Sequence, residues 1–449
     1  MSQINRIDGG LIDQEKVLNF TFNGQILKGY EGDTLASALL ANNKHLIGRS
    51  FKYHRPRGIV TAGSEEPNAI MEIGNGAYRE PNTRATVTQL YNGLEANSQN
   101  HRGPLSFDFM AITDFLSPLL GAGFYYKTFM WPKAFWEKFY EPAIRKSAGL
   151  GTLSTEADPD TYDKGFRHCD ILIIGAGATG LSAALTAAES GAKIILADED
   201  FLMGGRLNSE TNEIDGIAGS EWAKKTVAKL GAMENVTLMS DTTVFGAYDH
   251  GIYGAIENRA SEAREDNDKP RQVNWRIYTK RAILCAGATE RLIAFGNNDR
   301  PGIMLASAVR TYLNRFAVAT GQRISVYTNN DDGWKTAKDL NAKGFRVAAV
   351  IDSRSISPVM RVPGAEIYMG TDVVDTKGRR ALKSIQLSNG KSIDTDTLAV
   401  SGGWNPNLHF TCHHRGVPKW NEEITSFVPD SSPPVGMSVA GRAKGTMVL

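Results

Sequence analysis

Near the N-terminus, apolar and polar positions fall into the pattern of a strand. In VLNFTF, Leu18, Phe20 and Phe22 alternate with polar residues, the period of a strand with one buried face. Asn23-Gly24 follows, a pair suited to the positive backbone angles of a tight hairpin turn, and Gln25 to Gly29 forms a second short run. Asp33 or Thr34 then stands where a helix N-cap belongs, ahead of an apolar face of Leu35, Ala38 and Leu39. Hairpin then helix is how a β-grasp domain of the plant ferredoxin kind begins, and residues 1–97 are predicted to form one.

Residues 98–165 show no sustained alternation and are rich in aromatics, most densely in FYYKTFMWPKAFWEKFYEP from Phe124 to Pro142. Such a cluster is costly to leave in water, so it reads as packing against neighbouring domains or, alternatively, as a surface for a partner. Leu153 to Gly165, acidic and carrying Pro159, reads as an exposed linker. From Cys169 onward strand, turn and helix alternate, the order of an α/β fold. The charged stretch from Glu257 to Pro270 reads as a solvated loop between two strands, GIYGAIEN and QVNWRIYTK. These changes of character set the domains at 1–97, 98–165, 166–320, 321–400 and 401–449, the last returning to the domain that starts at 166.

The strongest chemical signal is CDILIIGAGATGLSAALTAAESGAKIILADED. Ile171 to Ile174 is a buried strand, Gly175-Ala176-Gly177-Ala178-Thr179-Gly180 is a G-x-G-x-x-G turn, and Leu181 to Ser190 is an Ala-rich helix. Gly175 permits the tight turn, Gly177 lets a pyrophosphate approach the backbone, and Gly180 lets the helix pack on the sheet. The N–H groups at the helix start favour the pyrophosphate charge. The second strand, Lys193 to Ala197, ends at Asp198-Glu199, with Asp198 placed 23 residues after Gly175, where an acid accepts ribose hydroxyls. An acid there disfavours a 2′-phosphate, so NAD or FAD is expected rather than NADP. Gly204-Gly205 and Arg206 follow, a small-residue doublet and a cation within reach of a phosphate or ribose.

Two later stretches extend this plan to a two-dinucleotide-binding-domain, flavoprotein-like Rossmann architecture. RAILCAGATE, Arg281 to Glu290, resembles the strand and turn by which such chains pass to a second nucleotide-binding domain. SVAGRAKGT, Ser438 to Thr446, resembles the strand and turn that return to the first. FAD-binding relatives often have Asp after that glycine; Arg442 stands here, which favours NAD at this site. The second domain opens with RISVYTNNDDGWKTAKDL, which has no glycine fingerprint and places Asp331 and Asp332 where a phosphate would sit. Carboxylates at a helix start oppose an anion, so no dinucleotide is expected there.

Composition narrows the classes further. Fifty Lys and Arg against 49 Asp and Glu give a net charge of +1, which provides no long-range field for nucleic acid or an anionic membrane. No uninterrupted apolar stretch long enough to span a bilayer occurs, and MSQINRIDGG has no apolar leader, so a soluble cytoplasmic chain is expected. The three cysteines, Cys169, Cys285 and Cys412, lie in no metal-knuckle or dithiol spacing. The ferredoxin-like segment thus has no thiolates for an iron–sulfur cluster. Its loop residues His45, His54, Arg55 and Arg57 are alternative candidates, for a flavin phosphate or an acidic partner surface. His413-His414 has neither the ligand number nor the spacing of a metal site, so no metal is expected.

Four runs carry a family resemblance: GRSFKYHRPRGIVTAGSEEPNA (Gly48 to Ala69), AGFYYKTFMWP (Ala122 to Pro132), FGNNDRPGIMLASAVRTYLNR (Phe295 to Arg315) and SGGWNPNLHF (Ser401 to Phe410). With the fingerprint they span nearly the whole chain, which resembles the N-terminal half of the alpha subunits of heterotetrameric sarcosine oxidases. The resemblance implies a complex with beta, gamma and delta subunits that oxidatively demethylates sarcosine to glycine. One-carbon transfer to tetrahydrofolate and formation of hydrogen peroxide accompany the reaction. It further implies NAD in this chain, and FAD and FMN chiefly with beta, where C–H cleavage takes place. The residues implied to touch NAD are the turn from Gly175 to Gly180, with Asp198 and Glu199, Gly205 and Arg206, and Thr243 and Val244 at the adenine end. In the family a tetrahydrofolate-binding domain follows this half, so the resemblance implies either a truncated alpha subunit or a folate domain on another chain, and folate chemistry is not expected of these residues.

Three rivals remain. One is the alpha subunit of a related opine, cyanide-forming or proline dehydrogenase, and another is a non-catalytic nucleotide-binding scaffold. The third, a pyridine nucleotide–disulfide oxidoreductase, lacks its redox dithiol.

Overall fold

The structure is a computed structural model that describes residues 3–121, 123, 131–147, 149, 151–266, 268–356, 360–430 and 433–447. It is α/β and falls into two compact units, one of residues 1–158 with 292–402 and one of 159–291 with 403–449.

In the first unit the hairpin forms as its pattern dictates. Strand Asp13–Phe22 pairs antiparallel with Gln25–Glu31 through Asn23 and Gly24, both at positive φ. Helix Leu35–Ala41 starts at Thr34, whose side chain and that of Ser37 satisfy each other's backbone N–H groups in a capping box. All seven of its residues are buried, so the helix is held by packing and its short length is no handicap. The hairpin joins strands Ile70–Ile73, Glu80–Arg84 and Leu94–Ser98 in a five-stranded sheet.

The unit also holds a five-stranded parallel sheet, in the order Ile303–Leu305, Thr397–Ser401, Ile324–Thr328, Val347–Asp352, Glu366–Met369. Helices Ala306–Asn314 and Asp331–Ala342 accompany it. Phe20, Leu39 and Met71 of the β-grasp share one core with Tyr312, Trp334 and Val350 of this sheet. The units divide between Arg291 and Leu292 rather than at 320, because strand Ile303–Leu305 pairs with Thr397–Ser401 and the following helix joins that same core.

In the second unit the fingerprint strand is much longer than its apolar stretch. It runs Tyr162–Ile174 and pairs in parallel with Gln272–Leu284 along almost its whole length. Residues 162–165, expected in a linker, are therefore strand. Their partners lie more than a hundred residues away, and no local pattern reveals such pairing. The two strands support parallel neighbours Ile194–Ala197, Val236–Met239 and Met437–Val439, and an antiparallel meander of Thr242–Tyr248 and Ile252–Asn258. The charged loop after Asn258 contains a short helix, Ala260–Glu265, whose first N–H is accepted by the Asn258 side chain.

The aromatic run falls partly on residues 124–130, which lie outside the described residues. Among its described neighbours, Phe109, Phe115, Trp131 and Phe139 are all exposed. No helix among the described residues is long and apolar enough to cross a membrane.

Candidate dinucleotide site

The site is built at the carboxyl ends of the second unit's parallel strands. Strand Tyr162–Ile174 ends at Gly175, which turns at φ 99° and donates its N–H to Ala197 O at 2.8 Å. A Cβ on Gly175 would crowd the backbone of Cys285, and one on Gly180 would collide with the Gly175 carbonyl oxygen. Gly177 differs: a Cβ there meets nothing within 4 Å. The first and third glycines thus serve packing, while the second faces open space. Gly177 is also the N-cap of helix Ala178–Ala188, and no described side chain caps it. The N–H groups of Ala178, Thr179 and Gly180 therefore form the uncapped positive end of the helix.

The strand-tip acids divide their roles. One oxygen of the Asp198 carboxylate accepts the N–H of Ala176, and the other accepts that of Asp200 at 2.9 Å. Burial pushes its pKa up to about 6. Glu199, the next residue, is exposed. Thr242 donates its N–H to Asp198 O at 2.8 Å, which brings the strand containing Thr243 and Val244 to the same tip. Val244 is buried, and Thr243 is exposed.

The glycine pair closes on the turn from the other side. Gly204 donates to Ala176 O at 3.0 Å, and a Cβ on Gly205, at φ 52°, would lie 3.0 Å from Gly177 Cα. Arg206 leaves this contact to stack over the Trp404 ring, with its guanidinium carbon 3.8 Å from the centroid, and its Nε donates to Glu210. The closing strand Met437–Val439 lies beside Ala282–Leu284 and delivers Gly441 against Thr179. Arg442 then reaches the same tryptophan, 5.2 Å from its centroid. Glu210, Trp404 and Arg442 were not among the site residues expected from sequence. Their only advance signals were the run containing Trp404 and the departure at 442.

The other candidates are engaged elsewhere. Arg55 and Arg57 both pair with Asp299; burial works to raise that carboxyl's pKa, but the two guanidiniums outweigh it and hold it below the usual range. The two guanidiniums of the basic loop are thus paired with an internal carboxylate. His54 Nδ1 lies 2.6 Å from the buried Asp108, and His45 Nε2 lies 3.0 Å from Asn43. His413 Nδ1 accepts the Ala247 N–H at 3.1 Å. Among the described residues no cluster of His, Cys, Asp and Glu could hold a metal. In the second sheet, the strand-tip acid Asp352 is fully buried and accepts Trp334 Nε1 at 2.8 Å. Arg354 joins Asp352 to Asp331 at the helix start, so the acids at this turn are tied to one another.

Residues 15–101 match a family described as a 2Fe-2S iron-sulfur cluster binding domain, and residues 170–372 match one described as FAD dependent oxidoreductase. The chain is 50% identical over 444 residues to sarcosine oxidase subunit alpha of Rhizobium meliloti, covering 98% of this chain and 45% of that one. It is 35% identical to the corresponding subunit of Corynebacterium sp. strain U-96, over 94% of this chain and 41% of that one. The chain thus spans less than half the length of these relatives. An L-proline dehydrogenase from P. horikoshii shares the fold, with a TM-score of 0.66 at 19% identity, over 99% of this chain and 71% of the other.

The residues present do not fit an iron–sulfur cluster. A cluster needs thiolate ligands, and no cysteine occurs before Cys169. A protein carboxylate organises the loop from 60 to 69. Glu66, 1% exposed, accepts the N–H groups of Val60 and Thr61 on one oxygen and of Asn68 and Ala69 on the other. A dinucleotide does fit the second unit: Gly177 opens onto free space, the helix start is uncapped, and Arg442 Nη1 is buried with no hydrogen-bond partner.

Proposed function

We propose that this chain, which belongs to the family of sarcosine oxidase alpha subunits, is the NAD-binding part of such an oxidase. The observation that carries the reading is the intact turn from Gly175 to Gly180, with its open second glycine and its strand-tip acids. In this reading the N–H groups of Ala178 to Gly180 hold the pyrophosphate, aided by Gly205 and Arg206. Asp198 and Glu199 orient the adenosine ribose, and Thr243 and Val244 flank the adenine. NAD, when bound, supplies hydride-transfer chemistry; side chains alone have none.

The whole complex, in this proposal, demethylates sarcosine to glycine with beta, gamma and delta subunits. Tetrahydrofolate takes the one-carbon unit and oxygen takes the electrons as hydrogen peroxide. Cleavage of the C–H bond falls to a flavin in the beta subunit, because the described residues of this chain offer no thiol pair and no second fingerprint. The exposed aromatic side chains Phe109, Phe115, Trp131 and Phe139 suit contact with a partner, since interface cores favour aromatic residues.

Calorimetric titration of the purified chain with NAD tests the assignment; one mole bound per mole of chain is expected. A second reading, FAD in the same site, is favoured by the oxidoreductase family matched over residues 170–372. It requires a yellow protein with one extractable flavin per chain and no NAD titration.

A further inference from the structure

We infer that Arg442 is a diphosphate-binding residue, its free guanidinium N–H held for an oxygen of the dinucleotide. The inference rests on the dinucleotide reading of the second unit and goes beyond it by assigning a ligand contact to a residue that departs from the flavoprotein pattern.

Placement is the first argument. Gly441, at φ 64°, packs so closely on Thr179 that a Cβ there would collide with the Thr179 hydroxyl oxygen. The residue that follows is therefore anchored beside the second residue of helix Ala178–Ala188. Ala440 fixes the approach by donating its N–H to Leu284 O at 3.0 Å.

Electrostatics is the second argument. A helix start carries partial positive charge, and Arg442 adds a cation to the segment whose Gly441 packs on that helix start. The nearest carboxylate, Glu210, lies 3.8 Å from Arg442 Nη2, too far for a hydrogen bond, and the same oxygen already accepts from Arg206 Nε. The Trp404 face lowers the cost of the two cations but satisfies no N–H. Arg442 Nη1 is left buried with no protein partner, and a buried donor of this kind is normally satisfied by water, an ion or a ligand. A diphosphate at the open face of Gly177 would remove both penalties at once. It would accept from the helix start and from Arg442, and its charge would balance the cations.

The diphosphate is common to NAD, ADP and FAD, so the inference concerns that group and not the base or nicotinamide. Binding of NAD, ADP and adenosine to the purified chain is compared for wild type and Arg442→Met, which keeps a long side chain against Trp404. The expected result is at least a tenfold loss for NAD and ADP with adenosine affinity within twofold, and partial recovery in Arg442→Lys. Equal affinities for NAD in wild type and Arg442→Met would overturn the inference while leaving the site intact. So would equal losses for all three ligands, the mark of a merely structural residue. Absence of NAD and ADP binding in the wild type would instead sink the dinucleotide reading itself. Should Arg442→Met fail to fold, as judged by its melting curve, Arg442→Lys takes its place, with the same ranking of ligands required.

Discussion

Asp198 closes on Ala176: the acid at the tip of the second strand accepts a backbone N–H from the glycine turn that ends the first. Its other oxygen accepts the Asp200 N–H. One carboxylate thus braces the turn from the side where an adenosine ribose would lie, which couples the shape of the turn to the charge of Asp198.

This coupling has a pH signature. Burial raises the Asp198 pKa from 3.8 to about 6, so the folded chain holds this proton more tightly than the unfolded one. The stability it contributes is full below the unfolded value and is lost as pH rises through about 6. Ribose hydroxyls prefer the ionised acceptor, so NAD affinity should fall as pH drops below 6, by up to about tenfold per unit. Calorimetry between pH 5 and 7.5 checks this. Asp198→Asn should bind weakly and show no such dependence in that range.

Gly177 and Gly180 separate binding from folding. A Cβ at Gly177 enters open space, so Gly177→Ala should melt within a degree or so of wild type while losing most NAD affinity. A Cβ at Gly180 would collide with Gly175 O, so Gly180→Ala should be destabilised by about 1–3 kcal/mol as well. Chemical denaturation and NAD titration of the same two variants distinguish the two losses. Normal NAD binding in Gly177→Ala would show that no phosphate passes over that glycine.

Glu66 should be a structural keystone of the first unit. Glu66→Ala removes the acceptor of four backbone N–H groups in a buried loop, and should cost on the order of 3 kcal/mol or more. Glu66→Gln, which keeps one acceptor oxygen, should lie between. Reconstitution with iron and sulfide should give no stoichiometric cluster in either variant or in wild type. A denaturation midpoint unchanged in Glu66→Ala would show that water satisfies the loop equally well.

The chain alone should not oxidise sarcosine. Peroxide release from sarcosine by the homogeneous chain, with one flavin recovered per polypeptide, would relocate the reacting centre to these residues. Activity that appears only on adding a beta subunit is the expected outcome.

Elements governed by local rules were legible in the sequence. The hairpin at Asn23-Gly24, the Thr34 cap, the glycine turn and the strand tip at Asp198 each depend on residues adjacent in the chain, where turn geometry and side-chain period act directly. Pairing over long separations was not legible. The outer half of strand Tyr162–Ile174 carries no apolar run and is strand because Gln272–Tyr278 lies beside it. The division at Arg291 and Leu292 likewise follows from a strand that pairs almost a hundred residues onward. Charge partners were hidden for the same reason. Arg55 and Arg57 looked like a basic loop until Asp299, far along the chain, was seen to lie between them. Arg442 reads as a mere departure in the sequence, whereas in the fold its guanidinium lies over Trp404 with one buried N–H unpaired. The sequence alone determined which segments could turn and cap; tertiary structure decided which charges pair with one another and which do not. Folding brings together groups that the chain keeps apart, and the strength of an ionic contact depends on that final separation and burial.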